Sequence, residues 1–207
     1  MDAHAVQVGR GDEDFRTAAA AVSTWAHANA LPWVAVTAPK SSRRPPNPGD
    51  PVVIAVRATG PVNFGRWLSP WLANPLVVVG VREGRGKARW QTAGGPAAAV
   101  ALPATAAAAV VATAGGTLSR YDLALATTAS HVLAGGERFS IIHRAADDSV
   151  WFEAAAFARP ATMVAALGWP VVRGLQAAFR RGAGAAVQEA LRVGGGGKER
   201  RRRFGLW

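Results

Sequence analysis

The stretch SHVLAGGERF, Ser130 to Phe139, sets a histidine, a glutamate and an arginine around a Gly-Gly pair. An imidazole, a carboxylate and a guanidinium held together can orient the polar head of a ligand, and His131 could also move a proton as general base. The same residues suit the turn of a β-hairpin. Gly135 and Gly136 would then supply positive φ, and Glu137 would pair locally with Arg138 or Arg159. Downstream, VWFEAAAFARP places Glu153 on one strand face with Trp151 and Phe157, and Arg159 follows on that face. A carboxylate among aromatic rings must be paired, protonated or near water. A Glu153–Arg159 pair that fixes a sheet and a cavity-lining carboxylate, itself a candidate general base, both satisfy that condition.

Much other chemistry is absent from the pattern. The chain has no cysteine, hence no disulfide, thiolate nucleophile or cysteine metal site. No Ser, Cys or second His stands near His131 at the spacing of a catalytic triad. His-Glu-x-x-His, acidic calcium loops and Gly-x-Ser-x-Gly elbows do not occur, and the Gly-Arg-Gly runs at Gly9 and Gly84 lack a phosphate-loop ending. We therefore expect no metal, no cofactor and, on balance, no enzyme. A cysteine-free chain fits the cytoplasm, and MDAHAVQVGRGDEDF has no apolar core of a secretory signal.

The formal net charge of +11 points to an acidic partner or to a solvated basic surface. Lys198 to Arg203, with five cations against one anion, account for +4 of it, and Lys40, Arg43 and Arg44 form a second block. A weak anionic partner for the Lys198–Arg203 tail is one reading and plain solvation the other; nothing indicates specific nucleic-acid recognition. Gly94 to Gly116 approaches membrane-spanning length but is mostly alanine, with Pro103 near its middle, and reads as a low-complexity segment.

The elements that must position these groups follow from periodicity. Asp12 to Ala28 reads as a helix with acids in its first turn. LPWVAVTA, PVVIAVRA and PLVVVGVRE have strand character, whereas NFGRWLSPWLANP reads as aromatic and irregular. From about 84 to 119 the pattern dissolves into an Ala/Gly-rich insertion. RYDLALATT, ERFSIIHRA and VWFEAAAFARP then form an antiparallel meander. The last element is a long amphipathic helix with an apolar stripe at Val164, Leu167, Val171, Leu175 and Phe179, and with Arg173, Gln176 and Arg180 opposite. Pro170 should kink or divide it. Residues 1–194 thus read as one α+β domain, a curved antiparallel sheet gripping the helix, and 195–207 as a basic disordered tail.

Three stretches carry a family resemblance: VGRGDEDFRTAAAAVSTW, NPLVVVGVRE, and SHVLAGGERFSIIHRAADDSVWFEAAAFARPATMVAALGWPVVRGLQAAFRR. They resemble the domain-of-unknown-function 1990 family, also called uncharacterised protein family 0548. The resemblance implies a helix-grip, START-like fold and no particular activity. Where that family has Tyr-Gly-Thr-Leu-Pro-Gly-His, this chain has Leu125, Ala126, Thr127, Thr128, Ala129, Ser130 and His131, so the tyrosine, both glycines and the proline are replaced.

A sheet wrapped on a helix encloses a hollow, and the leading functional expectation is a pocket for a small hydrophobic or lipid-like ligand. Trp151, Phe157 and Leu175 would supply apolar contact. Thr127, His131, Glu137 and Arg138 would stand at the polar rim, with Glu153, Arg159 and Gln176. An enzyme using Glu153 or His131 as base, and a scaffold binding anionic surfaces through the tail, are the other two readings.

Overall fold

The computed structural model describes residues 2–38, 45–62, 69–86, 91–92 and 117–204, with side chains described up to residue 194. Most of the expected insertion, the basic block at 40–44 and the side chains of the tail lie outside those residues. Among the described residues, eight strands form one sheet: β1 (Asp2–Arg10), β2 (Val34–Thr37), β3 (Pro51–Arg57), β4 (Trp71–Arg85), β5 (Gln91–Thr92), β6 (Leu118–Thr127), β7 (Leu133–Arg144) and β8 (Ser149–Pro160). Their order is β1-β8-β7-β6-β4-β3-β2, with β5 beside β4, and every pairing is antiparallel. The curled sheet and the long C-terminal helix on its inner face make a helix-grip α+β fold.

Alternation along the strands explains both faces. Phe139 and Ile141 of β7, Val150 and Phe152 of β8, and Leu123 and Leu125 of β6 point inward to the main core. Their neighbours Ser140, Ile142, Glu153, Asp122 and Ala155 point outward, yet all are buried. Asp122 accepts hydrogen bonds from Arg82 at 2.7 Å and Arg120 at 3.2 Å, which ties β4 to β6 on that outer face.

Two helices follow β1. In α1 (Gly11–Ser23), Asp12, Glu13 and Asp14 occupy the first turn, and Asp14 accepts the Arg10 amide at 2.8 Å. The single helix expected to Ala28 is interrupted: Trp25 adopts φ 62, and a short α2 (Ala26–Asn29) follows. That turn sends the Trp25 ring into the core beside His27.

The C-terminal division behaves as proline demands. α3 (Met163–Leu167) ends at Gly168, and α4 (Trp169–Phe204) begins with Pro170 in its first turn, where no helical N–H partner is lost. The break shifts the helical phase. Val164, Leu167 and Val171, expected on the buried stripe, are exposed, and the buried run is Phe179, Ala183, Val187 and Leu191. Arg180, expected on the outer side, is buried instead. α4 continues past Gly194, where order was expected to end, to Phe204. Gly184 lets α4 approach the sheet, because a Cβ there would stand 2.9 Å from Val6. Among the described residues, no helix is long and apolar enough to cross a membrane.

Candidate functional site

The inner face is filled unevenly. Under α1 and the later turns of α4, Phe139, Phe152, Phe179 and His27 form a contiguous aromatic cluster with ring centroids 4.6–6.4 Å apart. Under the first turns of α4 lies a cavity of about 170 Å³, walled by β3, β4 and the ends of β6, β7 and β8. That space is far above the roughly 10–15 Å³ needed for one water. Ile54, Leu76, Leu133, Ala156, Leu175 and Phe179 make its walls chiefly apolar. Half-exposed Leu72, Val132 and Phe157 edge its mouth.

The Gly-Gly pair proves not to be a turn. Gly135 and Gly136 lie within β7, paired with Ala158 and Phe157, and neither has positive φ. Glycine is required at 135 by proximity: a Cβ there would come within 2.0 Å of the Phe157 carbonyl oxygen. The chain reverses earlier, between Thr128 and Val132, and Thr127 and His131 shape that reversal. Thr127 Oγ1 accepts the Gly135 amide at 3.0 Å and donates to the Gly135 carbonyl at 3.2 Å. His131 Nδ1 accepts the Leu133 amide at 2.9 Å, so the ring's proton resides on Nε2. Burial holds His131 below its ordinary value.

Strand parity separates the remaining candidates. Thr127, His131, Glu137, Phe157, Leu175 and Gln176 all line the cavity. Arg138, Trp151 and Glu153 do not: they share the outward parity of Ser140 and Ile142, and the whole sheet stands between them and the hollow. Arg138 Nη2 lies 4.0 Å from Glu153 Oε1, so the partner of Glu153 on this face is Arg138, not Arg159 as expected. Arg159 is exposed. Glu153 is therefore no base for chemistry inside the cavity.

Glu137 is the carboxylate that faces inward. Burial pushes it up to about 7 from an ordinary 4.5, with Arg180 opposing. Of two further inward groups, the sequence reading put Arg180 on the outer side and missed His27. Arg180 lies 4.0 Å from Asp2, which Arg173 also engages, so α4 is clamped to β1. His27, fully enclosed, is held down to about 4 by desolvation, with a 3.3 Å contact from Nδ1 to the Ala21 carbonyl opposing it. Among the described residues, no three His, Asp or Glu side chains are arranged to hold a metal ion.

Comparison with known proteins agrees with the resemblance carried by the three motif stretches. The family model for the domain of unknown function DUF1990 matches residues 1–186. UPF0548 protein At2g17695 of Arabidopsis thaliana is 28% identical over 182 residues, spanning 88% of this chain and 68% of that protein. Among solved structures, Ara h 8.0201 aligns over 93% of this chain and 97% of its own, at 10% identity and a TM-score of 0.42.

Proposed function

The chain belongs to the DUF1990 family, and from its geometry we propose that it is a binding module for a small hydrophobic ligand held between the sheet and the first turns of α4. The observation that carries this reading is the chiefly apolar cavity of about 170 Å³ beside a buried aromatic cluster. Close packing is the rule in protein interiors, whereas the apolar lining of this open hollow faces water in place of protein atoms. A ligand removes that apolar surface from water, which contributes roughly 25 cal/mol per Å². Thr127 and His131 keep the cavity floor in shape through their bonds to the β6–β7 reversal.

Binding of the uncharged dye N-phenyl-1-naphthylamine tests the reading. Wild type should enhance its fluorescence saturably, and Val172→Trp, which fills the space from α4, should abolish the enhancement without lowering the melting temperature. Absence of saturable binding by the wild type, together with no small molecule carried by the purified protein in native mass spectrometry, would overturn it.

A further inference from the structure

The polar groups facing the cavity differ in what they have left to offer. Thr127 Oγ1 is occupied on both sides by Gly135. Asn74 spends its amide hydrogens on the carbonyls of Ile54 and Leu72. His131, with Nδ1 committed to Leu133, retains one N–H donor. Glu137 is different in kind: among the described residues no hydrogen bond or ion pair within 4.0 Å holds its carboxylate. Arg180 acts on it electrostatically, but the carboxylate within ion-pair reach of Arg180 is Asp2, at 4.0 Å. Gln176 faces the same cavity from α4, and its amide oxygen is a second acceptor.

A chiefly apolar cavity that presents a carboxylate with no hydrogen-bond or ion-pair partner within 4.0 Å offers a seat for a cation. We propose that the ligand is an aliphatic or aromatic amine, its apolar body against Leu76, Leu133 and Leu175 and its ammonium paired with Glu137. This rests on the hydrophobic-ligand reading above and adds the class of head group. An ammonium supplies charge and hydrogen-bond donors together, the combination that makes the strong, short contacts to a carboxylate. An alcohol of equal length offers a single neutral donor. A fatty acid brings a second negative charge into a poorly solvated space and is selected against. The net charge of +11 opposes a cation at long range, but salt screens exposed charges beyond about 8 Å and leaves a buried pair largely intact.

The pH dependence follows from the groups around Glu137. Arg180 and Arg173 on α4 and Asp2 on β1 form the charged cluster beside it. His131 in the reversal and His4 on β1 are both lowered by burial and stay uncharged there. Glu137 is thus the group that changes charge near neutrality, at about 7. Amine affinity should weaken about tenfold per pH unit below that value and level off above it.

Isothermal titration of the full-length protein with decylamine, decanol and decanoate at pH 8 and pH 5.5 makes the test. Decylamine should bind at least about tenfold more tightly than decanol at pH 8, with decanoate weakest. At pH 7, binding should release about half a proton, read from the heat in buffers of different ionisation enthalpy. In Glu137→Gln the preference for amine over alcohol should shrink to within about threefold and the pH slope should vanish. Decanol or decanoate binding as tightly as decylamine, no proton release, or Glu137→Gln retaining both preference and slope would overturn the amine assignment while leaving the hydrophobic-ligand reading intact. Failure of all three chains to bind would overturn both. The proton-release measurement needs no variant, so it decides even if Glu137→Gln does not fold.

Discussion

The two halves of the interior were built from the same sheet and the same helix, yet they are filled in opposite ways. Under α1, the later turns of α4 present Phe179, Ala183 and Val187 to Phe139 and Phe152, and all of these side chains are buried together. Under the first turns of α4, Val172, Leu175 and Gln176 face β-strands that offer small or aliphatic side chains, Ala156 and Leu133 among them, and a hollow persists. The difference lies in what covers the sheet. α1 and α2 supply a second helical layer over one half, whereas α4 alone covers the other. A helix-grip sheet is therefore stabilised at one end and left available at the other.

This contrast can be broken most sharply in the packed half. Phe139→Ala should cost about 3–5 kcal/mol in urea denaturation, because its ring is fully buried and touches His27, Phe152 and Phe179. A similar size is expected from pH alone through His27. Its folded value of about 4 lies below the ordinary 6.5, so between those values the unfolded chain binds a proton that the folded one refuses. Stability should be complete above 6.5 and fall by on the order of 3 kcal/mol as pH drops to 4.

Glu137 in the hollow half should show the opposite sign. Its folded value of about 7 exceeds 4.5, so the folded state holds the extra proton between them. The stability it contributes is complete below 4.5 and is lost as pH rises through 7. Glu137→Gln should accordingly raise apo-protein stability at pH 8 by about 1–3 kcal/mol and change it little at pH 4.5. The smallest effect belongs to Leu175→Ala, at less than about 1 kcal/mol, because that side chain already borders empty space. Equal costs for Leu175→Ala and Phe139→Ala would erase the distinction between the halves.

The meander of β6, β7 and β8, the cores of β2, β3 and β4 and the Pro170 division were legible in the chain because alternation and proline geometry act locally. Trp71–Asn74 of β4 lay in a stretch read as irregular. Parity, however, defines two faces without saying which is inner. The usual tie-breaker, an apolar inner face against a polar outer one, fails in this sheet, whose outer face buries Ile142 and Ala155 alongside Asp122 and Glu153. Glu153 and Trp151 were accordingly assigned to a pocket they do not reach, while Glu137 and Gln176 do reach it. Gly135 carried two meanings, positive φ or close approach, and the distance to Phe157 decides for the second. The stripe through Val164 and Leu167 ran across a helix break whose phase change no single periodicity could register. β1 escaped notice altogether, since DAHAVQVGR has weak strand alternation and gains its pairing only from β8, far along the chain.

Ligand binding depends on the hollow beneath the first turns of α4. A crystal of the ligand-free protein pressurised with xenon measures it directly, since xenon enters dry apolar cavities and not packed cores. Anomalous density among Ile54, Leu76 and Leu175, with none between Phe139 and Phe152, is the expected result. An interior without xenon at either place, with side chains closed over Glu137, would contradict it.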